Sequence, residues 1–203
     1  MKKTFSILSI AAAFAMFSFV GKNYHATNYK ADLKSSNVAW EGQKVTGKHN
    51  GTIALASGVL TDNHGQWTGI FEIDMKTLNN TDLEVGKGKE KLEGHLKSAD
   101  FFDVEKHPKA KLVVSSITPL EAAKDDATHN VKGFITIKGN TNPVSFDVAM
   151  KSEGPKMMCT GTLVIDRTKY DIRYGSKSFF NDIGDKAIMD DFSLKFNIAL
   201  SAN

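Results

Sequence analysis

The chain has 203 residues, enough for one domain with a sizeable core, and its single cysteine, Cys159, excludes an intramolecular disulfide. Lys2 and Lys3 precede an apolar run from Phe5 to Val20 with the form of a secretory signal. Without them Lys+Arg falls from 26 to 24 against 23 Asp+Glu, so the remaining chain is nearly neutral and shows no basic footprint for nucleic acid.

The apolar run falls short of the roughly 20 residues a membrane span needs. Residues 1–21 are therefore expected to be a signal peptide, which implies a periplasmic or secreted location and no stable membrane span after cleavage. An uncleaved anchor stays open as the alternative. Ala13-Phe14-Ala15 truncates the apolar run, and cleavage after Gly21 puts Phe19 where a small residue is wanted. Residues 22–36 read as a polar lead-in with Tyr29 and Leu33 as first anchors, and 37–203 as the folded domain.

From Val38 the apolar period becomes two, the mark of strands half-buried on one face. Val38 and Trp40 open the pattern, Gly42 allows a bulge, and Thr52 to Ser57 is the next strand. Asp62-Asn63-His64-Gly65 marks a hairpin turn. Trp67 to Lys76 follows, with Phe71, Ile73 and Met75 on its apolar face.

A helical insert is expected from about Thr81 to Asp103. Thr81 and Glu84 form a candidate capping box, and Leu92 and Leu96 share a face four residues apart. Gly94 costs a helix about 1 kcal/mol relative to Ala, which suggests that it serves close packing. Phe101 and Phe102, between Asp100 and Asp103, form an aromatic pair that needs a hole to enter.

Beyond His107-Pro108 the period of two returns with Ala110, Leu112 and Val114, and Glu121 to Asn130 reads as a charged loop. Val131, Gly133, Ile135 and Ile137 pair across a Gly139–Pro143 turn with Val144, Phe146, Val148 and Met150. Gly154-Pro155 turns the chain into Cys159, Gly161, Leu163 and Ile165. Phe192 to Leu200 is the cleanest alternation of all.

About eight strands joined mostly by short turns make an antiparallel barrel or a two-sheet sandwich. Closure removes exposed edges, and eight strands leave an interior wide enough for one small ligand. The helix insert favours the barrel, with the helix near its mouth. If the strands close, Phe71, Ile73, Met75, Leu112, Val114, Ile135, Ile137, Phe146, Val148, Leu163 and Phe196 face inward as candidate ligand contacts, with Phe192, Leu194 and Ile198 on the same faces and Phe101 and Phe102 at the opening as further contacts. These side chains either fill the core to normal density or line an apolar hollow suited to a chain-like lipid, whose burial gives about 0.8 kcal/mol per CH₂.

The pattern for chemistry is weak. The six histidines form no HExxH, HxH or Cys-His pair, so no metal site is assigned. No GxSxG elbow is present, and Gly86-x-Gly88 lacks the strand-then-helix setting of a phosphate loop. No cofactor and no catalytic residue are assigned. An enzyme acting on a lipid or small apolar substrate remains an alternative if His95, Asp100 and Arg167 converge at one cavity. Arg167 and Arg173 are the only arginines; Arg167 is either a clamp on backbone carbonyls or a headgroup contact. Tyr170, Tyr174, Phe179 and Phe180 form either a second aromatic rim or a self-packed corner.

Trp40-Glu41-Gly42-Gln43-Lys44-Val45, Gly47-Lys48-His49-Asn50-Gly51, His95-Leu96-Lys97-Ser98-Ala99-Asp100-Phe101-Phe102-Asp103, His107-Pro108, Val131-Lys132-Gly133, Ile137-Lys138-Gly139 and Ile165-Asp166-Arg167 occur in this order along the chain. Together they resemble the YceI family of secreted, lipocalin-like, polyisoprenoid-binding proteins. The resemblance implies an extended eight-stranded antiparallel barrel that binds, sequesters or transports an amphipathic isoprenoid or quinone-like lipid. A homodimer is one state open to such a protein. Where many members have Asp-Phe-Gly after the arginine, this chain has Lys169-Tyr170-Asp171. A ligand-free structural or stress-protective module is the other alternative the lining allows.

Overall fold

The computed structural model describes residues 26–203; the expected signal peptide and the first residues of the lead-in lie outside them. Nine strands form one antiparallel sheet: β1 (Thr27–Ala31), β2 (Asn37–Lys44), β3 (Gly47–Asn63), β4 (Gln66–Asn80), β5 (Lys109–Lys124), β6 (Ala127–Ile137), β7 (Asn140–Glu153), β8 (Lys156–Asp166) and β9 (Ile188–Ala202). One α-helix, α1 (Lys89–Lys97), lies between β4 and β5 among the described residues.

The ring order β3-β2-β9-β8-β7-β6-β5-β4 closes through β3–β4 pairing. Tyr29 of β1 pairs with Leu60 and Ala202, and Val38 of β2 pairs with Ile53 and Phe196, so β1 and β2 occupy one position between β3 and β9. The barrel therefore has eight positions, one of them filled by two strands.

This corrects the reading of 22–36 as a lead-in, since Thr27–Ala31 is part of the wall. The polar residues that suggested mobility make the turn between β1 and β2, where the Asp32 carboxylate accepts from the Lys34 and Ser35 amides. Leu33 is 47% exposed and anchors nothing.

Three hairpins turn on two residues that both have positive φ: His64-Gly65, Asp125-Asp126 and Lys138-Gly139. Such turns match the twist of the strands they join. The turn at Asp125-Asp126 replaces most of the expected 121–130 loop, because β5 and β6 run on to meet it. Up-and-down connection puts the 45–46 turn, the α1 segment, the 138–139 turn and the 167–187 segment at one end of the barrel.

Along each strand one parity faces inward. Val131, Ile135 and Ile137 are 4–6% exposed, whereas Phe134 between them is 47% exposed. Parity changes at bulges. In β3 the buried residues run Ile53, Leu55 and then Leu60, on either side of the register shift at Leu55/Ser57.

Candidate functional site

The inward faces do not fill the barrel. A cavity of about 300 Å³ lies under α1, lined by Trp40, Ile53, Met75, Leu78, Ile137 and Phe192 among others. A second, of about 120 Å³, continues deeper between Leu60, Phe71, Val131, Val148, Leu163 and Phe196. Ile73, Ala110, Ile135 and Leu194 line both and form a waist between them. Ile73 and Ala110 are direct cross-strand partners there.

All thirteen candidate ligand contacts lie on this hollow. Ile73, Met75, Ile135, Ile137, Phe101 and Phe102 line the outer compartment. Phe71, Leu112, Val114, Phe146, Val148, Leu163 and Phe196 line the inner one, which Ile73 and Ile135 share. The expectation missed Trp40, Leu78, Leu92, Leu96 and Ile188 on the outer compartment. Leu92 and Leu96 had the right helical spacing, and Trp40 the right parity.

The helix over the opening is shorter than the expected 81–103 insert. Gly86 and Gly88 both have positive φ, which helical backbone does not allow, so α1 begins only at Lys89. The Thr81–Glu84 capping box is not formed. Thr81 donates to Asn50, Glu84 pairs with Lys87, and Gly88 stands at the helix start without a side-chain cap. Nor does Gly94 serve close packing, since a Cβ there would meet nothing within 4 Å.

What docks α1 is a polar hinge on one side and a hydrophobic face on the other. Lys89 Nζ donates to Asn79 Oδ1 and the Asn80 carbonyl, Glu93 accepts from the Asn80 amide, and Leu92 and Leu96 point into the outer cavity. Behind the helix, Phe101 is 6% exposed and meets the His95 ring edge-on at 4.9 Å. Phe102 meets Phe192 edge-on at 6.0 Å. The Phe-Phe pair enters the hole it needs.

Arg167 resolves as a clamp. Nε donates to the Met189 carbonyl, Nη1 to those of Ile172 and Tyr174, and Nη2 to that of Ile188. Asp190 Oδ1 lies 3.3 Å from Nη2, near enough for charge attraction but not aligned as a hydrogen bond. Four of the five N–H groups of the fork are thus spent on backbone carbonyls, and the fifth, on Nη2, stands beside Asp190.

The enzyme alternative expected His95, Asp100 and Arg167 to converge within hydrogen-bond reach at the cavity, and they do not. Arg167 is committed, and His95 Nε2 stands 3.7 Å from Asp100 Oδ2, beyond hydrogen-bond reach. The 170–180 corner divides between its two readings. Tyr170 is buried at 2% exposure, Tyr174 stacks edge-on against His95 at 4.4 Å, and Phe179 and Phe180 are half-exposed.

Another polar group on the outer cavity is better ordered. His49 Nδ1 lies 2.8 Å from Asp82 Oδ2, and Asp82 Oδ1 accepts from the Asn50 amide and Asn80 Nδ2. Burial pushes the Asp82 carboxyl up, but the hydrogen bonds from Asn50, His49 and Asn80 outweigh it and hold it below its ordinary value. Cys159 lines the inner compartment, where burial pushes its thiol up to about 12. Among the described residues no group of three or more His, Cys, Asp or Glu could hold a metal ion, and no helix is long and apolar enough to cross a membrane.

A closed antiparallel barrel with an apolar hollow and a short helix over one end belongs to the lipocalin-like class of folds. The YceI-like domain model matches residues 29–200, and the chain belongs to the YceI-like family. A UPF0312 protein of Pseudomonas putida is 29% identical over 162 residues, covering 76% of each chain. Burkholderia cenocepacia BcnA superposes with a TM-score of 0.65 at 21% identity, over 83% of this chain and 98% of that one. A polyisoprenoid binding domain from Saccharophagus degradans, implicated in plant cell wall breakdown, superposes with a TM-score of 0.58 at 16% identity, over 86% and 98%. At these identities the two structural likenesses show a shared fold.

Proposed function

We propose that this protein binds an amphipathic isoprenoid or quinone-like lipid in its barrel and sequesters or carries it in the periplasm or outside the cell. The observation that supports this reading is the two-compartment hollow, apolar from Phe102 at its mouth to Val148 at its depth. An apolar cavity offers water no hydrogen-bond partners, whereas each buried CH₂ of a prenyl chain gains about 0.8 kcal/mol. The waist at Ile73, Ala110, Ile135 and Leu194 suits a narrow, flexible chain better than a wide rigid ring system. Family membership and the polyisoprenoid binding of the Saccharophagus degradans domain point the same way.

The protein acts as a binder without catalysis on this reading, since Arg167 is spent on backbone carbonyls and His95 and Asp100 stand beyond hydrogen-bond reach of each other. The apolar run behind Lys2 and Lys3 supports export. Native mass spectrometry of protein purified from its own host is expected to show one prenyl-chain lipid per chain, identified after organic extraction. Repeated recovery of the bare polypeptide mass would contradict the reading.

A further inference from the structure

The outer cavity is almost wholly apolar, so the few polar side chains on its lining decide which headgroup can rest there. They are Gln43, Lys44, His49, His95, Arg167 and Asp191. Arg167 is spent on four backbone carbonyls and faces Asp190. His95 packs its ring between Phe101 and Tyr174. His49 differs from both, because one of its nitrogens is fixed and the other is not.

Asp82 is an acceptor at neutral pH, and its two oxygens already receive the Asn50 amide, Asn80 Nδ2 and the His49 ring. A carboxylate offers no proton, so His49 Nδ1 must be the donor in the 2.8 Å contact. The tautomer is thereby set, as it is wherever one imidazole nitrogen is held by a carboxylate. Nε2 then carries a lone pair in the neutral ring and has no partner among the described residues. Most neighbouring groups on this wall are engaged: Trp40 Nε1 with the Asn79 carbonyl, and Gln43 Nε2 and Lys48 with Glu41.

We infer that His49, oriented by Asp82, recognises the headgroup of the bound lipid, and that the headgroup is a neutral hydroxyl or carbonyl rather than a phosphate. This rests on the lipid-binding reading above. Nε2 accepts from a prenyl alcohol or a quinol; the protonated ring donates to a quinone carbonyl. A prenyl phosphate is held best by charged donors, several at once. The lining has one cation without a partner among the described residues, Lys44, and sets against it the carboxylate of Asp191 on the same lining and that of Asp82 behind His49.

The test compares geranylgeraniol, geranylgeranyl monophosphate and the hydrocarbon of the same chain, each displacing N-phenylnaphthylamine from the full chain stripped of resident lipid. Wild type is expected to bind the alcohol about three- to tenfold more tightly than the hydrocarbon, the worth of one neutral hydrogen bond, and to bind the phosphate more weakly than the alcohol. H49L should lose the preference for alcohol while keeping the hydrocarbon affinity, and H49Q should restore part of it. Long-range ¹H–¹⁵N spectra of wild type should place the His49 proton on Nδ1 and shift Nε2 when the alcohol is added, which a purely structural histidine would not do. Unchanged headgroup preference in H49L, or tighter binding of the phosphate by wild type, overturns the inference and leaves the lipid-binding reading standing. Failure of all three ligands to displace the dye overturns both.

Discussion

At the residue scale, two side chains hold the mouth in shape, and each leads to a measurable consequence. Arg167 draws the 167–174 corner onto the start of β9, with its side chain only 4% exposed. Its removal leaves four carbonyls without their donor and the Asp190 carboxylate without its charge partner. R167L is expected to cost about 3–5 kcal/mol, the usual effect of removing one member of a buried charged pair; an unchanged urea midpoint would contradict the clamp. Asp82 sets a pH dependence. Its folded pKa lies below the ordinary value, burial notwithstanding, because Asn50, His49 and Asn80 hydrogen-bond the charged form. That contribution is complete above the unfolded value of about 3.9 and is lost as pH falls through the lower folded value. The urea midpoint should therefore decline below about pH 4, and less steeply in D82N, which takes up no proton; parallel acid losses in the two proteins would exclude Asp82 as a source. Of these two residues, Arg167 was legible from the scarcity of arginine. The Asp82–His49 pair was not, because 33 positions separate partners that only the β3 register and the turn before α1 bring together.

At the scale of elements, the period-two strands were readable wherever a strand keeps one parity. Val131 to Ile137 and Phe192 to Leu200 are such cases, with hairpins ending where Gly or Asp takes positive φ. Strands with bulges were read short. In β5 the buried residues pass from Ala110 and Val114 to Ile117 across the register shift at Val114/Ser116, so a fixed-parity pattern ends before the strand does. The same reversal concealed the second half of β3. For α1 the apolar spacing was right and the boundary wrong, since Gly86 and Gly88 set the start rather than Thr81. Gly94 also meets no packing demand. G94A should accordingly stabilise the protein by roughly 0.5–1 kcal/mol through helix propensity and a less flexible unfolded chain. Loss of stability in a denaturant titration would show that something packs there after all.

At the scale of the whole molecule, the barrel and its lining follow from pattern, but the existence of a hollow did not. The same inward side chains allow a filled core, and only the closed geometry shows that they stop short of one another. Ala110 gives the clearest handle on this, because it lines both compartments and faces Ile73 across the strand pair. Ala110→Phe should plug the waist, costing about 1–3 kcal/mol in overpacking. It should lower affinity for a long prenyl chain far more than for a short one, as read by displacement of a bound fluorophore. Equal loss for both lengths would mean that the inner compartment takes no part. The most direct measurement is a crystal structure of the protein purified from its own host without added lipid. The expected result is continuous elongated density threading from beside His49, past the waist, to Val148 and Phe196. Side chains closed over that path, or a chain of ordered water molecules along it, would contradict the account.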